Sequence, residues 1–479
     1  MRKTKIVATL GPACNNYETI KKLIEKGLNV ARLNFSHATH QEHKMNVDLL
    51  RKASAELDKP VAILQDLQGP KIRTGKLKNS KPVTLVNDQK FVITIRNIVG
   101  DNNEVCTVYK GLPKDAEVGK HIFLSDGLIN LEVLEITDQD VICKVLNGGV
   151  LREHQGINLP GSHISSPAVT EKDIQDLKFG LKLNVDYVAI SFVRTAQDII
   201  DVKKLIKDLG HDTPVIAKLE RQEAIEDLDQ ILDVADAVMI ARGDLGVELP
   251  PEQVPLLQKK IIKAANKKSV PVITATQMLE SMIEHPRPTR AETSDVANAI
   301  LDGSDAVMLS GETASGLYPV ESIEMMSKIA EYVEENFNHL CAKNKATDKL
   351  PNTENISEGI GAAVSTIENT MPISAIWVHT MSGSTAKLIS HFRPTVPIYA
   401  FTPNEKILRR LSLFWGVMPF KVKFYKNYQG LEETVYPLLK KYKLAKKGDI
   451  VVVTGGYPIK NCGPTNFLKI EVIKDHIDD

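Results

Sequence analysis

The chain reads as an α/β protein: a parallel (β/α)8 barrel, a β-rich domain inserted into it, and an open α/β domain at the C-terminal end. Three observations predict this. Short, almost continuously apolar, β-branched runs recur; amphipathic helical stretches alternate with them; and the alternation breaks once, after the third run. Strands without a polar face belong to a parallel sheet buried on both sides, and eight βα units specify a barrel with its functional groups at the C-terminal strand ends.

The eight runs are Thr4 to Thr9, Asn29 to Asn34, Val61 to Asp66, Tyr187 to Phe192, Pro214 to Glu220, Ala237 to Gly243, Pro271 to Gln277 and Ala306 to Gly311. A helical pattern is expected at once after all but the third, as in Tyr17 to Lys26, Ala196 to Leu209, Gln222 to Val234 and Val320 to Asn336, where apolar residues recur three and four apart. From Pro70 to about Pro167 the pattern alternates instead, in Val83 to Val86, Phe91 to Ile95, His121 to Leu124, Leu131 to Ile136 and Val141 to Leu146, among Gly, Asn and Asp. A helix from Glu171 to Leu183, with Thr170 as N-cap, then reads as the displaced third barrel helix, which leaves the insertion over the barrel mouth as a lid. Polar, aperiodic Lys343 to Asn355 reads as a linker. Beyond it come helix Gly359 to Asn369, strand Ala375 to Thr380, helix Thr385 to His391, strand Pro397 to Phe401, helix Glu405 to Leu413 and strand Asp449 to Thr454. The expected domains are the barrel at 1–69 and 168–342, the inserted lid at 70–167, and a C-terminal α/β regulatory domain at 343–479.

The 479 residues agree with three domains at about 150 residues each. Sixty Lys and Arg cancel sixty Asp and Glu, so no global field draws in nucleic acid or an anionic membrane, and any charged ligand must be held locally. Hydrophobic residues make up 43% and charged residues 25%, ordinary for a globular chain, and no apolar run approaches the ~18 residues that span a bilayer. Ile6 to Leu10 after Met1-Arg2-Lys3 is too short for a signal peptide and ends at Gly11-Pro12, so residue 1 is read as mature sequence. The five cysteines, Cys14, Cys106, Cys143, Cys341 and Cys462, form no CxxC and are read as reduced, buried thiols of a cytoplasmic protein, without zinc.

On the fifth strand, Lys218 and Glu220 are two residues apart and therefore point the same way. The sixth run ends Arg242-Gly243-Asp244, which brings a second carboxylate to the neighbouring strand end, about 5 Å away by strand spacing. Two such carboxylates suit Mg2+, completed by substrate oxygens and water. The competing reading is a neutral ion-pair network of Lys218, Glu220, Arg242 and Asp244 on the barrel rim. Arg32, ahead of Asn34, Ser36 and His37, and Arg73, after Asp66 and Lys71, add cations at other strand ends, and cations beside a metal site point to phosphate. No GxxxxGK[ST] occurs; Gly311 to Leu317 comes nearest. Thr276 and the hydroxyls of Ser310 and Thr313 close the seventh and eighth strands, where an isolated Thr serves equally as a helix cap. On these residues alone, a metal-dependent lyase that forms an enolate fits as well as a phosphoryl transferase. A silent scaffold using only the C-terminal domain fits less well, because costly buried charges are retained.

Thr4-Lys5-Ile6-Val7-Ala8-Thr9-Leu10-Gly11-Pro12-Ala13, Arg32-Leu33-Asn34-Phe35-Ser36-His37, Ala217-Lys218-Leu219-Glu220, Met239 to Gly246, Thr274 to Glu280 and Pro286 to Glu292 resemble, in order, the segments of pyruvate kinase, from residue 4 to the end of the chain. The resemblance implies phosphoryl transfer from phosphoenolpyruvate to ADP, giving pyruvate and ATP. Lys218 matches the lysine that stabilises the phosphoryl group in flight and the enolate. Glu220 and Asp244 match the ligands of Mg2+ (or Mn2+), a second metal ion arriving with the nucleotide. Thr276 matches the threonine that helps proton delivery; Arg32 and Arg73 match arginines that grip the transferring phosphate; Asn34 and His37 match the nucleotide side, with Gly243 among the substrate-binding positions. Asp126 in Ser125-Asp126-Gly127 matches a lid residue that closes on the nucleotide complex. A homotetramer in the cytoplasm is implied by the family only.

Two departures bear on that picture. Where many members have Glu and require potassium, this chain has Lys71, whose ammonium replaces the ion's charge; independence of potassium is expected even though Asn34, Ser36 and Asp66 match potassium ligands. The alternative is that Lys71 pairs with a nearby acid. A family lysine in the lid is replaced by Gln155, which removes one cation for the nucleotide phosphates. Finally, Thr380, Ser382, Gly383, Ser384 and Thr385 join a strand to a helix, either as a capped turn or as the effector-phosphate loop that the family match suggests. The effector is left open among sugar bisphosphate, sugar monophosphate and nucleotide monophosphate.

Overall fold

The computed structural model describes residues 2–162, 164–165, 167–341, 355–425, 428–458 and 463–473. The linker expected at 343–355 lies, but for its last residue, outside the described residues, as do Cys462 and the side chain of Cys341. Strands β1 (Lys5–Thr9), β2 (Val30–Asn34) and β3 (Ala62–Asp66) are followed by β4 (Val83–Leu85), β5 (Lys90–Thr94), β6 (Glu104–Cys106), β7 (His121–Leu124), β8 (Ile129–Ile136), β9 (Asp140–Asn147), β10 (Gly149–Leu151) and β11 (Ile157–Asn158). Then come β12 (Tyr187–Ile190), β13 (Val215–Leu219), β14 (Ala237–Ala241), β15 (Val272–Ala275) and β16 (Ala306–Leu309). β1, β2, β3 and β12–β16 close into a (β/α)8 (TIM) barrel in the order β1-β16-β15-β14-β13-β12-β3-β2. Almost every residue of these strands is buried, which is why their sequences are apolar throughout.

The chain divides into two compact units, one comprising 1–65, 179–188 and 262–479, the other 66–178 and 189–261. The first holds the C-terminal sheet, β17 (Ala375–His379), β18 (Ile398–Thr402), β19 (Val417–Lys421), β20 (Ile450–Gly455) and β21 (Phe467–Val472), in the order β19-β18-β17-β20-β21, with β21 antiparallel. Within this unit the barrel segments and the C-terminal sheet are tied by polar bonds. Lys5 Nζ donates to Val417 O at 2.6 Å, the Tyr187 hydroxyl to Arg410 O at 2.7 Å, and Asp186 accepts from both Arg51 and Arg409. The second unit holds the insertion. Its six-stranded sheet β11-β7-β8-β9-β5-β6 packs around Phe91, Ile93, Leu131 and Cys143, beside the two-stranded β10-β4. Cys14, Cys106 and Cys143 are free and buried, and burial pushes the Cys14 and Cys143 thiols up to about 11 and about 12.

Local signals place several helices. Thr170 Oγ1 accepts from the Asp173 amide at 3.2 Å while Asp173 accepts from the Thr170 amide at 2.9 Å, a reciprocal cap that starts Glu171–Lys182. The sequence expectation fails in several places. β14 stops at Ala241 and Arg242–Glu248 is helical at once, so Asp244 lies in a helix's first turn, and the 5 Å strand-spacing estimate does not apply to it. β15 stops at Ala275 because Thr276 and Gln277 take positive φ (68° and 55°), and the next α-helix, Arg290–Leu301, waits for the Thr289–Glu292 capping box. The helix expected over Gln222 to Val234 is two, Gln222–Glu226 and Leu228–Val234. Strands β6, β10, β11, β19 and β21 and the helices Leu112–Asp115 and Tyr428–Tyr442 were not expected. β6, β10 and β11 are too short to show a period, β21 is a half-exposed edge, and Pro437 interrupts the last helix's pattern.

Candidate active site

In the second unit, Lys218 of β13 is 8% exposed, and its Nζ lies 2.8 Å from Glu220 Oε1, 3.5 Å from Asp66 Oδ1 at the end of β3, and 3.0 Å from Ser191 Oγ after β12. The strand period delivers the first contact; closure of the barrel delivers the other two. Ser191, which the sequence reading missed, donates to Leu67 O at 2.8 Å and so holds its lone pair toward the ammonium. Its one signal was a hydroxyl at the end of an apolar strand. Glu220 is fully buried, and its Oε2 accepts the Phe192 amide at 2.7 Å. Burial is the main force that raises its carboxyl above the ordinary range; Lys218 opposes it and the nearby charge of Asp244 adds to it. Arg242 Nη1 lies 3.4 Å from Gln258 Oε1. Lys218, Glu220, Asp66 and Ser191 thus form one polar cluster at the strand ends.

Among the described residues no group of three or more His, Cys, Asp or Glu gathers. Glu220 and Asp244 still fit a hard divalent cation, since two carboxylates leave the remaining octahedral positions to substrate and water. A cation beside them would relieve both the burial of Glu220 and its repulsion from Asp244.

Other expected residues of this unit lie at the root of the insertion. Arg73 Nη1 donates to His154 O at 2.9 Å, and Arg73 is bridged to Gly156. Lys71 Cε and Asp126 Oδ1 stand 3.4 Å and 3.6 Å from where a Cβ on Gly156 would sit, so both converge on this glycine. Ser125, Asp126 and Gly127 form a left-handed turn (φ 54°, 55° and 90°) that presents Asp126. Gln155 is fixed through its backbone, its amide donating to Thr74 Oγ1 at 2.9 Å.

In the first unit, Arg32, Asn34 and His37 line one cavity of about 560 Å³ together with Gly11, Pro12, Glu42 and Gly311. The volume falls in the range of small-molecule sites. Arg32 Nη1 donates to Thr9 Oγ1 at 2.9 Å, and Asn34 Oδ1 accepts the Ser36 amide at 3.1 Å, so the β2 end is braced by its own side chains. Only glycine fits at position 11, where a Cβ would stand 2.5 Å from Ala314 O. Thr276, β-branched yet in the left-handed region, donates to Ala275 O at 2.6 Å; strain of this kind collects at functional positions.

The C-terminal loop runs from the end of β17 into a helix. Thr380 Oγ1 accepts the Gly383 amide at 2.8 Å and so braces the turn, while Thr385 Oγ1 is 2.8 Å from Thr465 Oγ1; both hydroxyls are on buried residues. Ser382 and Ser384 are exposed, with their Oγ atoms 2.9 Å apart, ahead of the Ser384–His391 helix.

No helix among the described residues is long and apolar enough to cross a membrane. A family model described as pyruvate kinase, barrel domain, matches residues 1–323, and one described as pyruvate kinase, alpha/beta domain, matches residues 358–471. Pyruvate kinases of Staphylococcus aureus strains MRSA252 and USA300 are each 44% identical over 479 residues, which is all of this chain and 81% of theirs. The crystal structure of a pyruvate kinase from Cryptosporidium parvum aligns with a TM-score of 0.92 at 36% identity, covering 98% of this chain and 96% of that one. By its sequence along the whole length and by its fold, the chain belongs to the pyruvate kinase family.

Proposed function

We propose that the Lys218 cluster is the centre at which this pyruvate kinase moves the phosphoryl group of phosphoenolpyruvate to ADP. The observation that carries this is a buried ammonium braced by Glu220, Asp66 and Ser191. A cation fixed in a low-dielectric place needs no reorganisation when negative charge develops on the phosphoryl oxygens and then on the enolate. As the phosphorus–oxygen bond of the substrate breaks, an ADP oxygen takes the phosphoryl group, and the electron pair left behind makes the enolate that Lys218 stabilises. Arg73 and Arg32 orient the phosphate. Thr276 orders the water that delivers a proton to the enolate carbon, giving pyruvate. Asn34, His37 and Gly243 hold the nucleotide and substrate, and Asp126 meets the nucleotide complex from the insertion. Glu220 and Asp244 would hold the divalent ion, such as Mg2+, that neutralises phosphate charge when bound.

ADP-dependent release of pyruvate from phosphoenolpyruvate tests the reading. Lys218→Met is expected to lower kcat by at least about 10²–10³, the scale of losing one preorganised donor. A Lys218→Met protein that keeps its circular dichroism and turns over within a few-fold of the parent would refute it.

Three finer readings go with this. Among the described residues Lys71 forms no ion pair, which supports its ammonium replacing a monovalent cation's charge, Asn34, Ser36 and Asp66 being the positions that match potassium ligands. Exposed Ser382 and Ser384 before a helix N-terminus support activation by a phosphorylated metabolite at the C-terminal loop, with Thr380, Gly383 and Thr385 shaping the turn. Assembly as a homotetramer in the cytoplasm is carried over from the family, and the free buried thiols agree with a reducing compartment.

A further inference from the structure

Among the buried carboxylates of the second unit that phosphoryl transfer leaves without a role is Glu248. Glu248, 5% exposed, ends the Arg242–Glu248 helix, whose first turn carries Asp244. It has a neighbour on each side. From the insertion, Asn158 of β11 donates from Nδ2 to Glu248 Oε1 at a long 3.4 Å. From the segment after β13, Arg221, which directly follows Glu220, places Nη1 3.7 Å from Glu248 Oε2. Neither that nitrogen nor that oxygen has a hydrogen-bond partner, although both are buried. Glu248 is thus shared between two partners, held by one long hydrogen bond to Asn158 and standing beyond hydrogen-bond range of Arg221. Burial outweighs the pull of Arg221 and lifts the Glu248 carboxyl to about 7, as befits an anion under-paired where it stands.

A second contact runs in parallel. Val247 lies 3.8 Å from where a Cβ on Gly127 would be, in the turn that presents Asp126. Asn158 Oδ1 also stands within 3.9 Å of the Gly156 point on which Lys71 and Asp126 converge. The insertion therefore meets the Asp244 helix at two places, and at one of them a single carboxylate continues to the neighbour of Glu220.

We propose that Glu248 is a positioning residue, which links docking of the inserted domain through Asn158 to the placement of the Glu220 and Asp244 carboxylates through Arg221. A buried charge strongly disfavours losing a partner, so drawing Glu248 toward one side shifts the other. The proposal rests on the reading that Glu220 and Asp244 hold the metal.

The test is a mutant cycle on the full chain with two readouts: amide exchange of Ile157 and Asn158 without metal or substrate, and KM for metal–ADP set against kcat. Asn158 and Arg221 share no hydrogen bond, so without Glu248 they should act independently. Asn158→Ala and Arg221→Met are each expected to raise KM about three- to tenfold, the scale of one hydrogen bond to a charged group, with a smaller change in kcat. Combined, they should fall short of the product of the single effects by threefold or more, and in a Glu248→Gln background that shortfall should vanish. Glu248→Gln keeps an acceptor for Asn158, so β11 exchange should stay near the parent's while KM rises; Glu248→Ala should speed that exchange as well. Independent single effects in the parent, or a shortfall that persists in Glu248→Gln, overturns the proposal. Calorimetric Mn2+ binding separates the two readings: if Glu220→Gln leaves it intact, the metal assignment fails, whereas intact metal assignment with independent Asn158 and Arg221 effects defeats the linkage alone. Should Glu248→Ala not fold, the Glu248→Gln arm decides.

Discussion

His379, the last residue of β17, makes the C-terminal domain acid-sensitive by an amount that follows from its surroundings. It is 8% exposed, its ring stacks on Phe401 at 5.4 Å, and its Nδ1 is 2.8 Å from the Tyr425 hydroxyl. Burial alone pushes its pKa from 6.5 down to about 3. The folded state thus resists a proton that the unfolded chain accepts. Stability is complete above pH 6.5 and is lost as pH falls from there toward 3. At pH 5 the unfolded chain is favoured by about 2 kcal/mol through this residue, and below pH 3 by at most about 5 kcal/mol. Trp377, on the same strand and 6.1 Å from the Phe401 ring, reports on this core. In a Trp415→Phe background, urea unfolding followed by Trp377 fluorescence at pH 8 and pH 5 should show a drop about 2 kcal/mol larger for the parent than for His379→Asn. Asparagine keeps a polar partner for Tyr425 and does not titrate. Identical pH dependence in the two proteins would show that His379 is solvated, or already charged, in the folded domain, and the reasoning would fail.

Turnover should be comparable with and without potassium in a bulky organic-cation buffer, and Lys71→Glu should introduce a dependence on the ion; a tenfold loss in the parent without potassium sinks the assignment of Lys71. Phosphoenolpyruvate titrated against a panel of sugar bisphosphates, sugar monophosphates and nucleotide monophosphates should reveal an activator whose half-saturating concentration rises about tenfold in Ser384→Asp, as expected when a carboxylate repels a phosphate. A flat response to the entire panel removes the regulatory reading of the loop.

Much of this was legible locally. Continuous apolar runs predicted all eight barrel strands, because a strand buried on both faces leaves no room for a polar period. Period two predicted that Lys218 and Glu220 share a face, and they meet at 2.8 Å. Asp244 was misread as a strand end because nothing in Arg242-Gly243-Asp244 distinguishes a strand's last residues from a helix's first turn. The Thr380 hydroxyl meets the neighbouring Gly383 amide, which the loop itself could suggest, whereas the Thr385 partner, Thr465, lies far along the chain and was not legible.

The amino-acid order by itself determined the α/β barrel, its interruption after the third strand, the family and the types of charged group at the strand ends. Periodicity and short motifs are properties of neighbours, and neighbours are what a sequence displays. Only tertiary structure decided that Ser191 and Asp66 brace Lys218, that Arg242 reaches Gln258, and that Glu248 stands between Asn158 and Arg221. Each of these contacts joins residues far apart in the chain, and its distance is set by how the strands close and the insertion packs.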